Sequence, residues 1–176
     1  FQAASIITTT GYSSDNFGEW PYFSQCILLL LMFIGGCTGS TGGSIKCFRI
    51  MLLFKQGYRE LYRMIHPKAV VPVKLGGKSI PPKTIEGIWG FFFIYLLLFA
   101  VSSLIMTLLG LDLITAISAV AACIGNIGPG LGAVGPAENF NHLPALGKWL
   151  LSLCMLIGRL EIYTVIVLFV PEFWKK

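Results

Sequence analysis

Charge is scarce in this sequence, where Asp, Glu, Lys and Arg together make up 12% of 176 residues. Soluble domains carry roughly twice that share, so an ordinary solvated globular surface is excluded. Histidine is nearly absent: there are two, His66 and His142. Neither has a His, Cys or carboxylate cluster near it in the sequence, so both read as surface residues, and no metal-ligand set is present. The five cysteines (Cys26, Cys37, Cys47, Cys123, Cys154) sit singly inside apolar or Gly-rich runs with no C-x-x-C pair. They read as small membrane-packing residues, with neither a disulfide framework nor a metal site favoured. No G-K-[ST] stands at Walker A spacing after the glycines. No secretory leader pattern opens the chain either. Phe1 stands inside an apolar segment with no Met before it, which leads to the expectation of a piece of a longer subunit.

Apolar residues fill the space that charge leaves. They make up 55% of the chain, and the mean hydropathy is +0.77, which places the chain in a membrane. Three apolar stretches carry that assignment: Tyr22 to Ile34, Ile85 to Leu111 and Leu143 to Val170. A span needs roughly 20 apolar residues at about 1.5 Å rise each, so the second and third suffice alone. The first is too short, covering only about 20 Å as a helix. Its pattern resumes at Ile45, after a run of Gly, Ser and Thr.

The net charge of +5 gains meaning from its placement. Nine of the 13 basic residues (Lys46, Arg49, Lys55, Arg59, Arg63, Lys68, Lys74, Lys78, Lys83) lie between positions 46 and 83, against the single acid Glu60. By the positive-inside rule this stretch is cytoplasmic. Asp15, Glu19, Glu138 and His142, with Lys148 the one base, mark loops that face outside, and Lys175 and Lys176 return the tail to the cytoplasm. Juxtamembrane bases orient a chain and meet anionic lipid, so no nucleic-acid partner is inferred. Tyr58, Tyr62 and the bases between them form a face for the lipid bilayer surface that also suits a cytoplasmic partner.

One device is used twice. A short apolar run ends in Thr8-Thr9-Thr10-Gly11-Tyr12-Ser13, and 117 positions later another ends in Gly125-Asn126-Ile127-Gly128-Pro129-Gly130. A helix too short to cross a bilayer precedes each, and a long hydrophobic run follows. Irregular backbone at membrane depth is tolerated only where it is buried in protein or lines a water-filled path, so a pore-lining role is the first hypothesis. Pro21 aligns with Pro144, Met32 with Met155, Ile34 with Ile157 and Gly35 with Gly158 at an offset of 123. Both copies run in the same direction, as parallel repeats do. The expected fold class is an all-α integral membrane protein of parallel helix, pore-loop, helix repeats, the first copy lacking its first helix. Residues 1–54 form the earlier repeat, 55–83 a basic cytoplasmic connector and 84–176 the later repeat.

In this combination TTTGYS, the run GGCTGSTGGSIK from Gly35 to Lys46, GNIGPG and the Arg of MLIGRLE resemble the Trk/Ktr/HKT superfamily of potassium transporters, closest to its TrkH-type branch. The resemblance covers the whole chain as the C-terminal half of such a subunit. It implies four pore-loop repeats in a potassium-channel-like, pseudo-fourfold pore around one ion path, with the third and fourth repeats held here. It implies K⁺ as the transported ion, no cofactor in this chain, residence in the bacterial inner membrane and no enzymatic activity. It also implies a homodimer and a cytoplasmic ring of nucleotide-binding regulatory subunits of the RCK type, docked near the basic connector and the tail.

Against the potassium-channel filter pattern TVGYG, the chain offers Thr9-Thr10-Gly11-Tyr12-Ser13 and Asn126-Ile127-Gly128-Pro129-Gly130. A filter replaces the ion's hydration shell with backbone carbonyls, and Gly at φ > 0 lets a carbonyl point inward. The expected K⁺ ligands are therefore main-chain groups of Thr9, Thr10, Gly11, Tyr12, Asn126, Ile127, Gly128 and Pro129, with no other metal site. The bland alternative is a plain loop between helices.

Gly35, Gly39 and Gly43 are spaced as a helix-packing G-x-x-x-G face would be. Gly36, Thr38, Ser40, Thr41, Gly42 and Ser44 argue instead for a break, since each is a poorer helix former than Ala or Leu. The resemblance implies that this broken segment, 35–43, is a gate below the filter. Arg159 lies within the last apolar run, where an arginine is costly and faces a polar cavity or a partner. It aligns opposite Gly36, at the level of the implied gate, where its charge opposes cations in transit. The alternative is a packing salt bridge with Glu161 of another repeat or with helix carbonyls. Two other classes of function stay open: an intramembrane hydrolase using Ser40 or Ser44, which lacks a base within the membrane, and a non-conducting assembly subunit.

Overall fold

The computed structural model describes residues 1–176 apart from Thr38, Thr41, Lys68, Val70, Glu161, Phe169, Val170, Lys175 and Lys176, and apart from the side chains of Lys78 and Glu172. It is mostly helical. In chain order the elements are α1 (Gln2–Ile7), α2 (Tyr22–Phe33), β1 (Ile34–Gly35), β2 (Ile45–Lys46), α3 (Cys47–Ile65), β3 (Lys74–Leu75), β4 (Lys78–Ser79), α4 (Pro82–Leu108), α5 (Leu113–Gly125), α6 (Ala145–Leu160), α7 (Ile162–Leu168) and α8 (Pro171–Trp174).

α4 is the long span. Pro81 and Pro82 open it, as prolines suit a helix start where no N–H is needed. Its 27 residues reach about 40 Å, enough to cross a bilayer core of about 30 Å. α5 has only 13 residues and extends about 20 Å, too short to cross such a core. The Asp112 side chain caps it by accepting from the Thr115 N–H at 3.1 Å. The same carboxyl is held below the ordinary Asp range, by hydrogen bonding from the Thr115 side chain foremost and then from main-chain N–H groups. α5 is the buried centre of the fold: residues 118–125 are all buried, and α2, α4 and α6 pack around it.

The main core joins Ala116, Ala119, Val120, Cys123 and Ile124 of α5 to Phe91, Tyr95 and Met106 of α4 and to Leu151 and Cys154 of α6. A second cluster seats Ile6, Phe17, Leu28 and Met32 against Ala121, Ala122 and Ile127. All five thiols are free. Cys123 and Cys154 fill the core, and the Cys154 thiol lies 3.4 Å from Ser102 Oγ, in keeping with a packing role.

The amphipathic basic helix expected after the glycine run is α3. It carries the Arg49 guanidinium over the Phe91 ring of α4, 4.0 Å from the centroid. The connector that follows is more ordered than its polar composition suggests. β3 and β4 pair antiparallel, Lys74 with Ser79 and Leu75 with Lys78, around Gly76 at φ 56° and Gly77 at φ 80°. Positive φ at both central residues is the two-residue hairpin turn that matches strand twist. Val73 and Leu75 pack with Leu52, Ile85 and Ile88, and Lys55 Nζ donates to the Lys74 carbonyl at 2.7 Å. The connector is folded back onto α3 and α4.

The last apolar run differs from expectation. It is two helices, α6 and α7, whose axes meet at 108°. Arg159 lies in the last described turn of α6. α7 is tied to α4 by Tyr163, whose hydroxyl donates to the Gly87 carbonyl at 2.9 Å.

Candidate functional site

The two glycine segments have the same backbone. At the end of α1, Thr9 N–H donates to the Ile6 carbonyl at 3.1 Å and Thr10 N–H to the Ser5 carbonyl at 3.0 Å. At the end of α5, Asn126 N–H donates to Cys123 at 3.1 Å and Ile127 N–H to Ala122 at 2.9 Å. Each pair is the double hydrogen bond that closes a helix through one left-handed residue. That residue is Thr9 at φ 55° in the first copy and Asn126 at φ 54° in the second, and two positions on stand Gly11 at φ 76° and Gly128 at φ 113°. All four correspondences fall at one offset, 117.

The two segments also meet. A Cβ on Gly11 would overlap the Ile127 carbonyl oxygen and lie 3.4 Å from Pro129 Cδ. Only glycine allows that approach, and Gly11's positive φ excludes most other residues independently. Among the described residues, no hydrogen bond is accepted by the main-chain oxygens of Thr9, Thr10 or Gly11, nor by those of Asn126, Ile127 or Gly128. Buried backbone carbonyls need a partner, and these six belong to two segments that pack on each other through Gly11 and Ile127. Tyr12 differs: its carbonyl accepts from Ser5 Oγ at 2.6 Å, and its ring is exposed.

The glycine-rich segment lies against both copies. A Cβ on Gly42 would lie 2.9 Å from Thr9 Oγ1, and one on Gly43 would overlap the Gly125 carbonyl. Gly35 is in β1, paired parallel with β2 through Ile34 with Ile45 and Gly35 with Lys46. The G-x-x-x-G helix-packing alternative is thereby overturned, since Gly35 is extended and Gly39 has φ 91°. Gly36 backs onto Ser40, whose Oγ accepts from the Gly42 N–H at 3.2 Å. Of the expected gate residues, Thr38 and Thr41 lie outside the described residues, as does Glu161.

Arg159 follows Gly158, whose Cβ would overlap the Ile124 carbonyl and lie 3.1 Å from Asn126 Nδ2. Asn126 Nδ2 in turn donates to the Met155 carbonyl at 3.1 Å. Gly158 thus seats α6 on the end of α5 and, with Gly42, Ser44, Arg49 and Tyr95, lines a cavity of about 10 Å³, while Arg159 is exposed.

Sequence reasoning assigned no site role to Ser5 or Gly125, and it read Ser44 only as part of the glycine-rich break and as a candidate nucleophile. Ser5 holds the Tyr12 carbonyl, Gly125 admits the glycine-rich segment, and Ser44 ties that segment to α2. Gly158 was marked only as the partner of Gly35 in the repeat alignment, and in the structure both glycines make close backbone approaches. Nothing in the sequence separates Ser44 from Ser40.

Comparison with known proteins covers the whole chain. The family model described as "TrkH: Cation transport protein" matches residues 1–176. The Trk system potassium uptake protein TrkH of Escherichia coli K12 is 48% identical over 176 residues, all of this chain and 36% of the relative. The potassium uptake protein TrkG of the same organism is 41% identical over the same share. The crystal structure of the potassium transporter TrkH from Vibrio parahaemolyticus superposes with a TM-score of 0.89 at 47% identity, over 98% of this chain and 36% of that one. The chain spans 36% of the length of these relatives.

Proposed function

This chain belongs to the TrkH family of cation transport proteins, a family of transporters and not of enzymes, and on that premise we propose that it supplies two of four pore-loop repeats to a potassium uptake path. The observation that carries the reading is the contact of Gly11 with Ile127, which packs together two segments whose main-chain oxygens accept no hydrogen bond among the described residues. Carbonyl oxygens held by fixed backbone replace water around a monovalent cation at little reorganisation cost. Thr9, Thr10, Gly11, Asn126, Ile127 and Gly128 are the proposed K⁺ ligands. Tyr12 and Pro129 flank them, with Tyr12 closing its end of the segment through Ser5. Transport of this kind is passive or coupled, and no chemistry is done on the ion.

The glycine-rich segment 35–43 is the proposed gate, because it backs onto Thr9 and Gly125 on the α2 and α3 side of the carbonyl segments. Arg159 is the proposed electrostatic barrier beside it. The protein is proposed to sit in the bacterial inner membrane as a homodimer, with α3 and the hairpin β3–β4 on the cytoplasmic side meeting nucleotide-binding RCK-type regulatory subunits. The nucleotide is proposed to reside on those subunits. The hydrolase alternative is disfavoured by Ser44, whose Oγ donates to the Met32 carbonyl at 2.7 Å, an acceptor that cannot serve as a general base.

The test is rubidium uptake into liposomes holding the full-length protein that carries this sequence. Uptake that K⁺ competes away supports the reading. Absence of uptake in well-folded protein, or equal competition by every monovalent cation, overturns it.

A further inference from the structure

The glycine-rich segment is a loop with a closed neck. β1 and β2 zip its two ends together, the Cys47 N–H donates to the Gly36 carbonyl at 3.2 Å, and the Cys47 thiol lies 3.2 Å from the Gly35 carbonyl. Residues 36–44 can therefore rearrange while α2 and α3 stay in place, in the manner of a compact Ω-loop.

Ser44 is where this loop is fixed from within. It is buried, it holds φ 60°, and its Oγ donates to the Met32 carbonyl at 2.7 Å. A non-glycine residue in that conformation is strained unless its surroundings hold it. The face it presents is the end of α5: a Cβ on Gly125 would lie 2.6 Å from Ser44 Oγ and 2.9 Å from Ile127 Cδ1. Gly43 meanwhile abuts the Gly125 carbonyl, and Ile127 abuts Gly11. One unbroken line of close contacts thus runs from the loop through Ser44, Gly125 and Ile127 to both carbonyl segments.

We propose that Ser44 is a positioning residue that couples the loop to the ion-selecting carbonyls, so that the conformation of the gate sets which cation is taken up as well as how fast. The inference rests on the transport reading above. Close-packed surfaces transmit small shifts instead of absorbing them. A loop that moves at Gly43 and Ser44 must therefore move the Gly125–Ile127 turn or lose contact with it. A loop acting as a plug alone would change all ionic rates by one factor.

The test measures rubidium and sodium uptake separately in liposomes holding the full-length protein. Ser44→Gly keeps the left-handed backbone without strain and removes the hydroxyl, so the loop is retained and its tie is lost. The expected result is a rubidium-to-sodium ratio shifted by about fivefold or more, the lower end of typical coupling between sites. Gly125→Ala presses on the same contact from the other side and shifts the ratio as well. Combining it with Ser44→Gly, which vacates the space its methyl needs, brings the ratio part of the way back. Equal changes in both rates for Ser44→Gly overturn the inference, and so does strict additivity in the double variant. Where Ser44→Gly fails to fold, an unchanged ratio in Gly125→Ala is the overturning result. An unmodified protein that takes up neither ion sinks the transport reading instead.

Discussion

Thr9 and Asn126 stand 117 positions apart and hold the same left-handed backbone, at φ 55° and 54°. Each ends a short helix with the same pair of hydrogen bonds and precedes a positive-φ glycine by two residues. Threonine and asparagine share neither shape nor propensity. The correspondence is one of backbone role, and Gly11 of the first copy packs on the Ile127 carbonyl of the second.

Gly11→Ala should abolish selective uptake. A methyl there overlaps the Ile127 carbonyl, and the φ of 76° adds strain of about 1–2 kcal/mol. Rubidium flux is expected to fall at least about tenfold, equivalent to about 1.4 kcal/mol in the barrier. Gly128→Ala meets open space and carries only the φ cost, so it should retain more flux than Gly11→Ala. The reverse order of these two variants contradicts the convergence.

Asn126→Gly should preserve the end of α5, whereas Asn126→Ala should destabilise it. Alanine resists the left-handed conformation by about 1 kcal/mol, and both substitutions lose the bond to the Met155 carbonyl. The two variants compared by thermal unfolding in detergent separate the terms. Equal melting temperatures would show that the backbone conformation contributes little.

Arg159→Ala should raise the uptake rate, since it removes a positive charge beside the proposed gate. Arg159→Lys keeps the charge and should stay near the unmodified rate. If both variants slow transport to the same extent, Arg159 acts by packing in the last turn of α6 and not as a barrier.

Acidification should loosen the start of α5. The Asp112 carboxyl is depressed by hydrogen bonding from Thr115, so its stabilisation is present above the ordinary Asp value of about 3.9 and is lost as pH falls through the lower folded value. Hydrogen exchange of the Ile114 and Thr115 amides, which donate to this carboxyl, should rise relative to the rest of α5 below about pH 4. In Asp112→Ala those amides should exchange readily at neutral pH and show no such acid dependence.

Much of this was legible in order along the chain. The run Ile85 to Leu111 announced α4, and the Thr8–Ser13 and Gly125–Gly130 segments announced where short helices stop. The glycine density from Gly35 to Ser44 announced the break between α2 and α3. The Gly76-Gly77 pair is a readable hairpin signal inside a stretch that its charge marks only as a basic connector. The angle between α6 and α7 could not be read from hydropathy, which is high along both helices. The bend coincides with Gly158 seated on the Ile124 carbonyl and Tyr163 tied to α4, contacts that depend on the partners being in place.

What the sequence alone determined is the membrane class, the position of the long apolar runs and the glycines that permit unusual φ, because these follow from apolar length and local backbone freedom. What only the tertiary structure decided is that Gly11 meets Ile127, that Gly43 and Ser44 meet Gly125, and that residues 36–44 hang from a closed neck. Contacts between positions more than eighty apart are set by how helices pack around α5, and no local pattern of residues encodes that packing.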